Sequence, residues 1–282
     1  MVKPRGMNAA RSEHVKFWRD SRYADLELLY AHYITHSFAR HTHDTFAIGV
    51  IMQGAEAFVY RGAQYVAPTG HVVVINPGEV HTGSAATEMG WTYRMLYPAE
   101  ELLRQAATET WGGAANTPYF AEPVIWDEDL RRSLLLLHAA LEHSDSPLEQ
   151  DSRMVWTLAQ MVQRHAIAHR FEPSVGRESG AVQRVQRYLH DHFAQSVTLN
   201  ELAAIANLSP YYFLRTFRRQ TGLPPHEYLN QVRLRQAKVL LRRGWAIADV
   251  AHHAGFSDQS HLTRQFKRMM GVTPGQYRQS TD

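Results

Sequence analysis

The chain has 282 residues, a formal net charge of +3, an ordinary globular composition and no cysteine. This length is enough for two domains with separate hydrophobic cores. The lack of cysteine excludes a disulfide framework, a thiolate metal site and a cysteine nucleophile, and is typical of a cytoplasmic protein. The N-terminal region has no apolar segment, and no apolar run approaches the roughly 20 residues of a membrane helix. We therefore expect neither a secretory signal nor a membrane span.

The charge is divided unevenly along the chain. Residues 181–282 contain 14 Lys and Arg against 6 Asp and Glu, a net charge of +8, whereas residues 1–180 have a net charge of −5. A basic half joined to an acidic half indicates that one half meets a polyanion such as nucleic acid.

Residues 25–97 have the pattern of short strands. Apolar runs at 46–52, 57–60, 71–75 and 93–97 are separated by turn signals such as Gln53-Gly54 and Pro77-Gly78. A spacing of about ten residues is typical of an antiparallel sandwich or a small barrel. Residues 1–126 are therefore predicted to form a β domain.

The pattern becomes helical near Asp127. Residues 129–143 and 147–169 each place apolar side chains on one helical face, and Ser146 and Gln150 are predicted to cap the second helix. These apolar faces exceed what one sheet face needs, so residues 127–170 are predicted to form a dimerisation segment. The alternative is that both helices only pack on the β domain.

Three histidines form a candidate site in the β domain. His41 and His43 alternate before one strand and therefore face the same side, while His81 follows the 72–75 strand. These residues could contact a small-molecule effector, have only a structural role, or form a three-imidazole metal site. We favour the first interpretation and expect no metal and no cofactor. The other candidate pocket residues are Arg40, Tyr60, Trp91, Tyr93 and Arg94.

Residues 171–180 contain Pro, Gly and Ser without any period and are predicted to be a linker. Beyond them, residues 199–228 and 247–277 form an imperfect repeat, in which Ala203 aligns with Ala251 and Phe217 with Phe266. Two copies of one helical unit in a basic segment indicate a contact repeated along a regular partner, and DNA is such a partner.

Each copy has the signals of a helix-turn-helix unit. In the first, Thr198 and Glu201 form a capping box, Asn207 stands at the turn, Ser209 caps the next helix and Gly222 ends it. Residues 225–243 are predicted to form one helix that separates the two units. If both second helices enter one face of a duplex, they lie about 34 Å apart.

The exposed side chains of the second helices can read or hold DNA. Arg donates to guanine, Gln pairs with adenine, and basic side chains further along each helix suit phosphates. In the first unit the candidates are Tyr211, Leu214, Arg215, Arg218 and Arg219. In the second they are Gln259, Ser260, Thr263, Arg264, Lys267 and Arg268. Leu214 cannot hydrogen-bond a base, so the first unit is expected to read less sequence than the second.

The segment 181–279 resembles the AraC/XylS family of transcription regulators. The resemblance lies in the alanine-rich helix 199–206, the Ser209-Pro210 start, Phe217 with Gly222, and the stretch from Ile247 to Leu262. Residues 25–100 resemble the cupin-like sensor barrel of the same family. The resemblance implies an α+β protein: a cupin-like β-barrel with a helical dimerisation segment, then an all-α domain (181–282) with two helix-turn-helix units.

The function implied is a sequence-specific regulator, more often an activator, that binds double-stranded promoter DNA and a small-molecule effector. The resemblance further implies RNA polymerase as a partner and a homodimer. A rival hypothesis is a metal-dependent cupin enzyme with a helical appendix. The metal-binding cupins place a Glu shortly after the histidine pair, whereas residues 46–48 offer none. We therefore expect the protein not to be an enzyme.

Overall fold

A computed structural model describes residues 12–111, 115–144, 146–167 and 177–279. Contacts divide the chain into an N-terminal unit of residues 1–37 and 43–170, and a C-terminal unit of residues 38–42 and 171–282. Each unit is described by itself. Among the described residues, no helix has the length and apolar character required to cross a bilayer.

The N-terminal sequence forms antiparallel strands, as predicted, and nine of these strands join in one sheet. Its central order is β1-β2-β8-β4-β6-β10, with β5 and β7 also paired to β4, and β3 paired to β7. The strands are β1 (His14–Asp20), β2 (Leu26–Tyr33), β3 (Ser37–His41), β4 (Ala47–Tyr60), β5 (Ala63–Pro68), β6 (Val72–Ile75), β7 (His81–Ala85), β8 (Trp91–Tyr97), β9 (Tyr119–Phe120), β10 (Val124–Ile125) and β11 (Ala166–Ile167). β9 and β11 form a separate pair.

The runs 46–52 and 57–60, predicted as two separate strands, form one continuous strand, β4. The Gln53-Gly54 pair is not a turn; it lies beside a bulge, where the register with β8 shifts between Ile51 and Gln53. Gly54 has φ +70°, and a Cβ there would lie 2.0 Å from the carbonyl oxygen of Gly90. The chain therefore continues through a position that only glycine fits. The first part of β4 pairs with β6 and β8, and the second with β5 and β7.

Three helices cover one face of this sheet. They are α1 (Glu100–Trp111), which was not predicted, α2 (Glu128–His143) and α3 (Pro147–His165). Leu134 and Leu137 of α2 and Met161 of α3 share a buried core with Val50 of β4 and Leu96 of β8.

One capping prediction for α3 is wrong. Ser146 caps the helix through the backbone N–H of Glu149, as predicted, but Gln150 does not close the cap. The amide of Gln150 instead donates to the carbonyl oxygens of Ala140 and Ser144, at 3.2 and 2.7 Å. The Ala140 carbonyl already accepts from the backbone N–H of Ser144, so Gln150 adds a second bond there, and Ser144 itself is the residue at which α2 ends.

The described residues 177–279 form only helices and their connections, as predicted. The helices are α4 (Arg177–Asp191), α5 (Leu199–Ala206), α6 (Pro210–Thr221), α7 (Pro225–Arg242), α8 (Ile247–His253), α9 (Gln259–Met270) and α10 (Pro274–Gln279). Helix α4 begins inside the predicted linker 171–180, so residues 177–180 are helical. Residues 171–176 of that prediction lie outside the described residues.

Candidate functional site

The first helix-turn-helix unit consists of α5 and α6, and its turn is built as the sequence predicts. The Thr198 side chain accepts from the backbone of Glu201, whose carboxylate accepts in return from the backbone N–H of Thr198 at 2.6 Å. Asn207 ends α5 in the left-handed region, at φ 56°, and Ser209 caps α6. These local bonds fix where both helices start and where the chain turns between them.

The second unit consists of α8 and α9 and repeats this construction with different caps. The Asp258 side chain accepts from the backbone N–H of His261 at 2.7 Å, and Gly271 ends α9 at φ 72°. Gly222 ends α6 at φ 74°. The predicted inward residues are all fully buried: Phe213, Phe217, Leu262 and Phe266. Equivalent positions are therefore buried in the two units, while the residues on their outer faces differ.

Helix α9 presents an outer face suited to DNA. Lys267 and Arg268 give two positive charges near its C-terminal end, and no charge of opposite sign lies on α9 itself. Thr263 is half-buried, and its hydroxyl donates to the carbonyl of Gln259 at 2.8 Å, which leaves its methyl group as the part suited to a thymine. The predicted residues that are exposed are Gln259, Ser260, Arg264, Lys267 and Arg268.

Helix α6 is less fully described. Arg218 and Arg219 are exposed and Leu214 is half-buried, whereas the side chains of Tyr211 and Arg215 lie outside the described residues. Tyr212, which the sequence analysis did not select, is 41% exposed near the start of the helix. It lies one turn before Thr216, which is buried, so helical spacing alone would not have indicated its exposure.

On the N-terminal sheet, strand alternation divides the predicted pocket residues. Trp91 and Tyr93 are buried on the face of β8 opposite the helices, where their ring centroids lie 5.3 and 6.0 Å from that of Tyr33. Tyr97 belongs to the same face because residues 91, 93, 95 and 97 alternate. We call this surface, formed by Tyr33, Trp91, Tyr93 and Tyr97, the aromatic face.

Arg94, also predicted as a pocket residue, does not lie on the aromatic face but contacts α2. Its guanidinium donates to Glu142 at 2.5 Å and lies 2.7 Å from Nδ1 of His138, both on α2. Burial, aided by the positive charge of Arg94, lowers the pKa of His138 to about 4. Burial opposes ionisation of Glu142, but hydrogen bonds from Lys16 and Arg94 outweigh it and lower its pKa to about 2. Arg94 therefore joins the sheet to α2.

Tyr60 and Arg40, the other two predicted pocket residues that are not histidines, do not belong to the aromatic face. The buried Tyr60 hydroxyl donates to the carboxylate of Glu79 and accepts from Arg61 and Asn76. Burial and the bond to Glu79 raise the pKa of Tyr60. Arg40 is exposed. Tyr60 is thus held in a polar network, and Arg40 lies in solvent.

The structure brings the three predicted histidines together. One ring nitrogen from each of His41, His43 and His81 lies within 4.8 Å of the others. The rings of His43 and His81 are 5.1 Å apart, and His43 also lies 5.2 Å from the ring of Tyr97. Nδ1 of His41 and of His81 are 2.7 and 3.1 Å from backbone carbonyls, which favours the tautomers that carry the proton there. Nε2 then has the free lone pair, with which it could accept a hydrogen bond from an effector or bind a metal ion.

Glu56 is a buried acidic residue of β4 that was not singled out from the sequence. It alternates with Phe58 and Tyr60 on β4 and is 8% exposed, and its carboxyl acts electrostatically on the hydroxyls of Tyr33, Tyr93 and Tyr97. Burial raises its pKa to about 8. Its inward position could not be read from the sequence, because the bulge beside Gln53 sets which residues of β4 face inward.

Comparisons with known proteins agree with both halves of this description. The sequence model of the AraC-like ligand binding domain matches residues 23–158, and that of a helix-turn-helix domain matches residues 202–280. The uncharacterized HTH-type transcriptional regulator YbfI of Bacillus subtilis is 33% identical over 229 residues, covering 81% of this chain and 82% of YbfI. The chain belongs to the AraC family of transcriptional regulators. It is thus a regulator with a ligand-binding domain and a DNA-binding domain.

Two further relatives extend the comparison of this regulator. The HTH-type transcriptional activator RhaS of Klebsiella pneumoniae is 28% identical, over 87% of this chain and 89% of RhaS. The crystal structure of unsaturated fatty acid bound wild-type ToxT from Vibrio cholerae superimposes with a TM-score of 0.55 at 14% identity, covering 98% of this chain and 97% of ToxT. At that identity the structural match concerns the fold alone.

Proposed function

We propose that the regulator is an activator of transcription that reads promoter DNA with α6 and α9 and responds to a small molecule bound at the aromatic face. The observation that carries the DNA-reading part is the outer face of α9, where Gln259 and Arg264 are exposed beside Lys267 and Arg268. A base-reading pair next to a phosphate-binding pair on one helix is the arrangement that major-groove recognition uses. Activation, by way of RNA polymerase in the cytoplasm, rests on the likeness to RhaS, which is named an activator.

Enzymatic turnover has no part in this proposal. The relatives named above are transcriptional regulators. Effector binding regulates transcription only if the effector binds two states of the protein with different affinity. Comparing DNA affinity with and without effector tests this directly, and equal affinities would contradict it.

We further propose that α3 mediates a homodimer. Leu148, Val155 and Trp156 on this helix are 76%, 58% and 67% exposed. Leu148 and Val155 are two turns apart, and Trp156 follows, so the three form one apolar stripe. An exposed apolar stripe on a folded domain is typical of a protein interface.

Trp156→Asp is expected to convert the dimer to monomer at micromolar concentration, because it places a charge in a desolvated interface. Light scattering after size-exclusion chromatography measures the mass. Ala86→Asp, which adds the same charge at an exposed position of the β7–β8 connection, should leave the dimer intact. A wild-type monomer, or a Trp156→Asp dimer, would exclude α3 as the interface.

We propose that the three histidines contact the effector and do not hold a resident metal. No carboxylate joins their group among the described residues, so an ion would be held by neutral ligands alone. Elemental analysis of protein purified without a histidine tag is expected to find less than one equivalent of zinc, iron or manganese. Stoichiometric metal that disappears in a His41→Ala, His43→Ala double variant would overturn this assignment.

A further inference from the structure

The strongest unused feature of the N-terminal unit is the carboxyl group of Glu56. It lies on β4 between Ala67 of β5 and Ala85 of β7, the residues opposite it in the two ladders, and neither has a polar side chain. Among the described residues, no hydrogen bond or ion pair reaches this carboxyl, and burial is the sole cause of its pKa shift. A buried carboxyl in this situation costs free energy in the absence of a partner.

The surroundings of this carboxyl define what can satisfy it. The hydroxyls of Tyr33, Tyr93 and Tyr97 lie within its electrostatic reach. The rings of Tyr33, Trp91 and Tyr93 contact one another in edge and tilted arrangements on the same face. Aromatic rings attract cations through their faces, and a buried carboxylate attracts them by charge.

The aromatic face also contains a buried hydrogen-bond donor, the indole N–H of Trp91. Nε1 of the fully buried Trp91 has no hydrogen-bond acceptor among the described residues. Glu56 and the aromatic face together thus provide one buried acid and one buried indole donor, and no described basic side chain satisfies the acid. The carboxylate form of Glu56 would be stabilised by a cationic group, whereas an anionic group would only keep this carboxyl protonated.

We propose that Glu56 is an effector-binding residue and that the effector is an organic amine, whose ammonium group binds the Glu56 carboxylate against the aromatic face. This deepens the proposed function and rests on it. Because the pKa of Glu56 is about 8 without ligand, the carboxyl is largely protonated at pH 7. An ammonium group would favour the carboxylate, so amine binding releases a proton, whereas a neutral hydroxyl ligand releases none.

The test uses matched pairs of small probes on the full chain. Titration calorimetry at pH 7 compares n-butylamine, benzylamine and phenethylamine with n-butanol, benzyl alcohol and phenethyl alcohol. In at least one pair the amine is expected to bind about tenfold more tightly than the alcohol, the usual worth of a charged over a neutral hydrogen bond. Repeating the titration in two buffers of different ionisation enthalpy measures the proton release.

Two variants assign the result to Glu56. Glu56→Gln keeps the shape of the side chain and is expected to remove both the preference for amine and the proton release. Glu88→Gln, at an exposed position, is expected to keep both. Amines that bind no better than their alcohols in every pair, including no binding by either, overturn the proposal, as does an amine preference that survives Glu56→Gln. Selective DNA binding by the same preparation would then show that only the effector class had failed.

Discussion

Glu56→Gln is expected to be more stable than the wild-type protein at pH 8 and equally stable at pH 4. The pKa of Glu56 rises from 4.5 in the unfolded chain to about 8 in the folded protein. Folding therefore favours the protonated acid, and stability is lost as the pH rises through this window. Gln cannot ionise, so the free energy of unfolding of the variant should not show the decrease of roughly 2–5 kcal/mol that ionisation of Glu56 causes in the wild type by pH 8.

Urea unfolding of the ligand-free protein at several pH values measures this difference. The slope with pH must be compared between variants, because Glu142 acts in the opposite direction. Its pKa is lowered to about 2, so its contribution is lost as the pH falls below 4.5. Glu88→Gln should follow the wild-type curve throughout. A Glu56→Gln curve parallel to that of the wild type from pH 5 to 8 would show that the carboxyl is solvated or paired.

Arg264→Ala is expected to lose about 1–3 kcal/mol of DNA-binding free energy at one preferred base and to relax specificity there. Arg264 is exposed on α9, one turn after Ser260 and beside Thr263. Lys267→Ala is the matched comparison, because Lys267 is exposed on the same helix one turn further on. Its loss should weaken binding to all sequences and reduce the slope of affinity against salt by about one charge.

Gel-shift titrations against a selected sequence and its single-base variants, at two salt concentrations, separate these effects. If Arg264→Ala weakens every sequence equally, Arg264 is a phosphate contact. An unchanged salt slope in Lys267→Ala would exclude the phosphate role of that residue.

The C-terminal unit could be predicted from sequence because its signals are local. The capping box at Thr198, the left-handed residue at Asn207 and the helix ends at Gly222 and Gly271 each act within a few residues of the chain. The inward and outward faces of α9 follow from helical period alone. Because the two units repeat, the helix bounds and buried positions inferred for one copy can be checked against those of the other.

The N-terminal unit was predicted less completely because its decisive contacts are long-range. Gln53-Gly54 has the sequence of a turn, and only the closeness of Gly90 shows that it is a bulge in a continuous strand. Tyr93 and Arg94 are neighbours in sequence but lie on opposite faces, and without the register both were assigned to the pocket. Glu56 was missed for the same reason, since the bulge before it sets which side of β4 faces inward.

The most direct test of the account is selection of DNA from a random library by the full-length protein, followed by footprinting of the enriched sequence. The inner positions of the two helix-turn-helix units match, whereas Leu214 on α6 and Thr263 on α9 do not. Each chain should therefore read two unlike half-sequences in tandem, about one helical turn apart, in a site that has a direction. Enrichment of a palindrome with identical halves for each chain, or of no sequence at all, would contradict it.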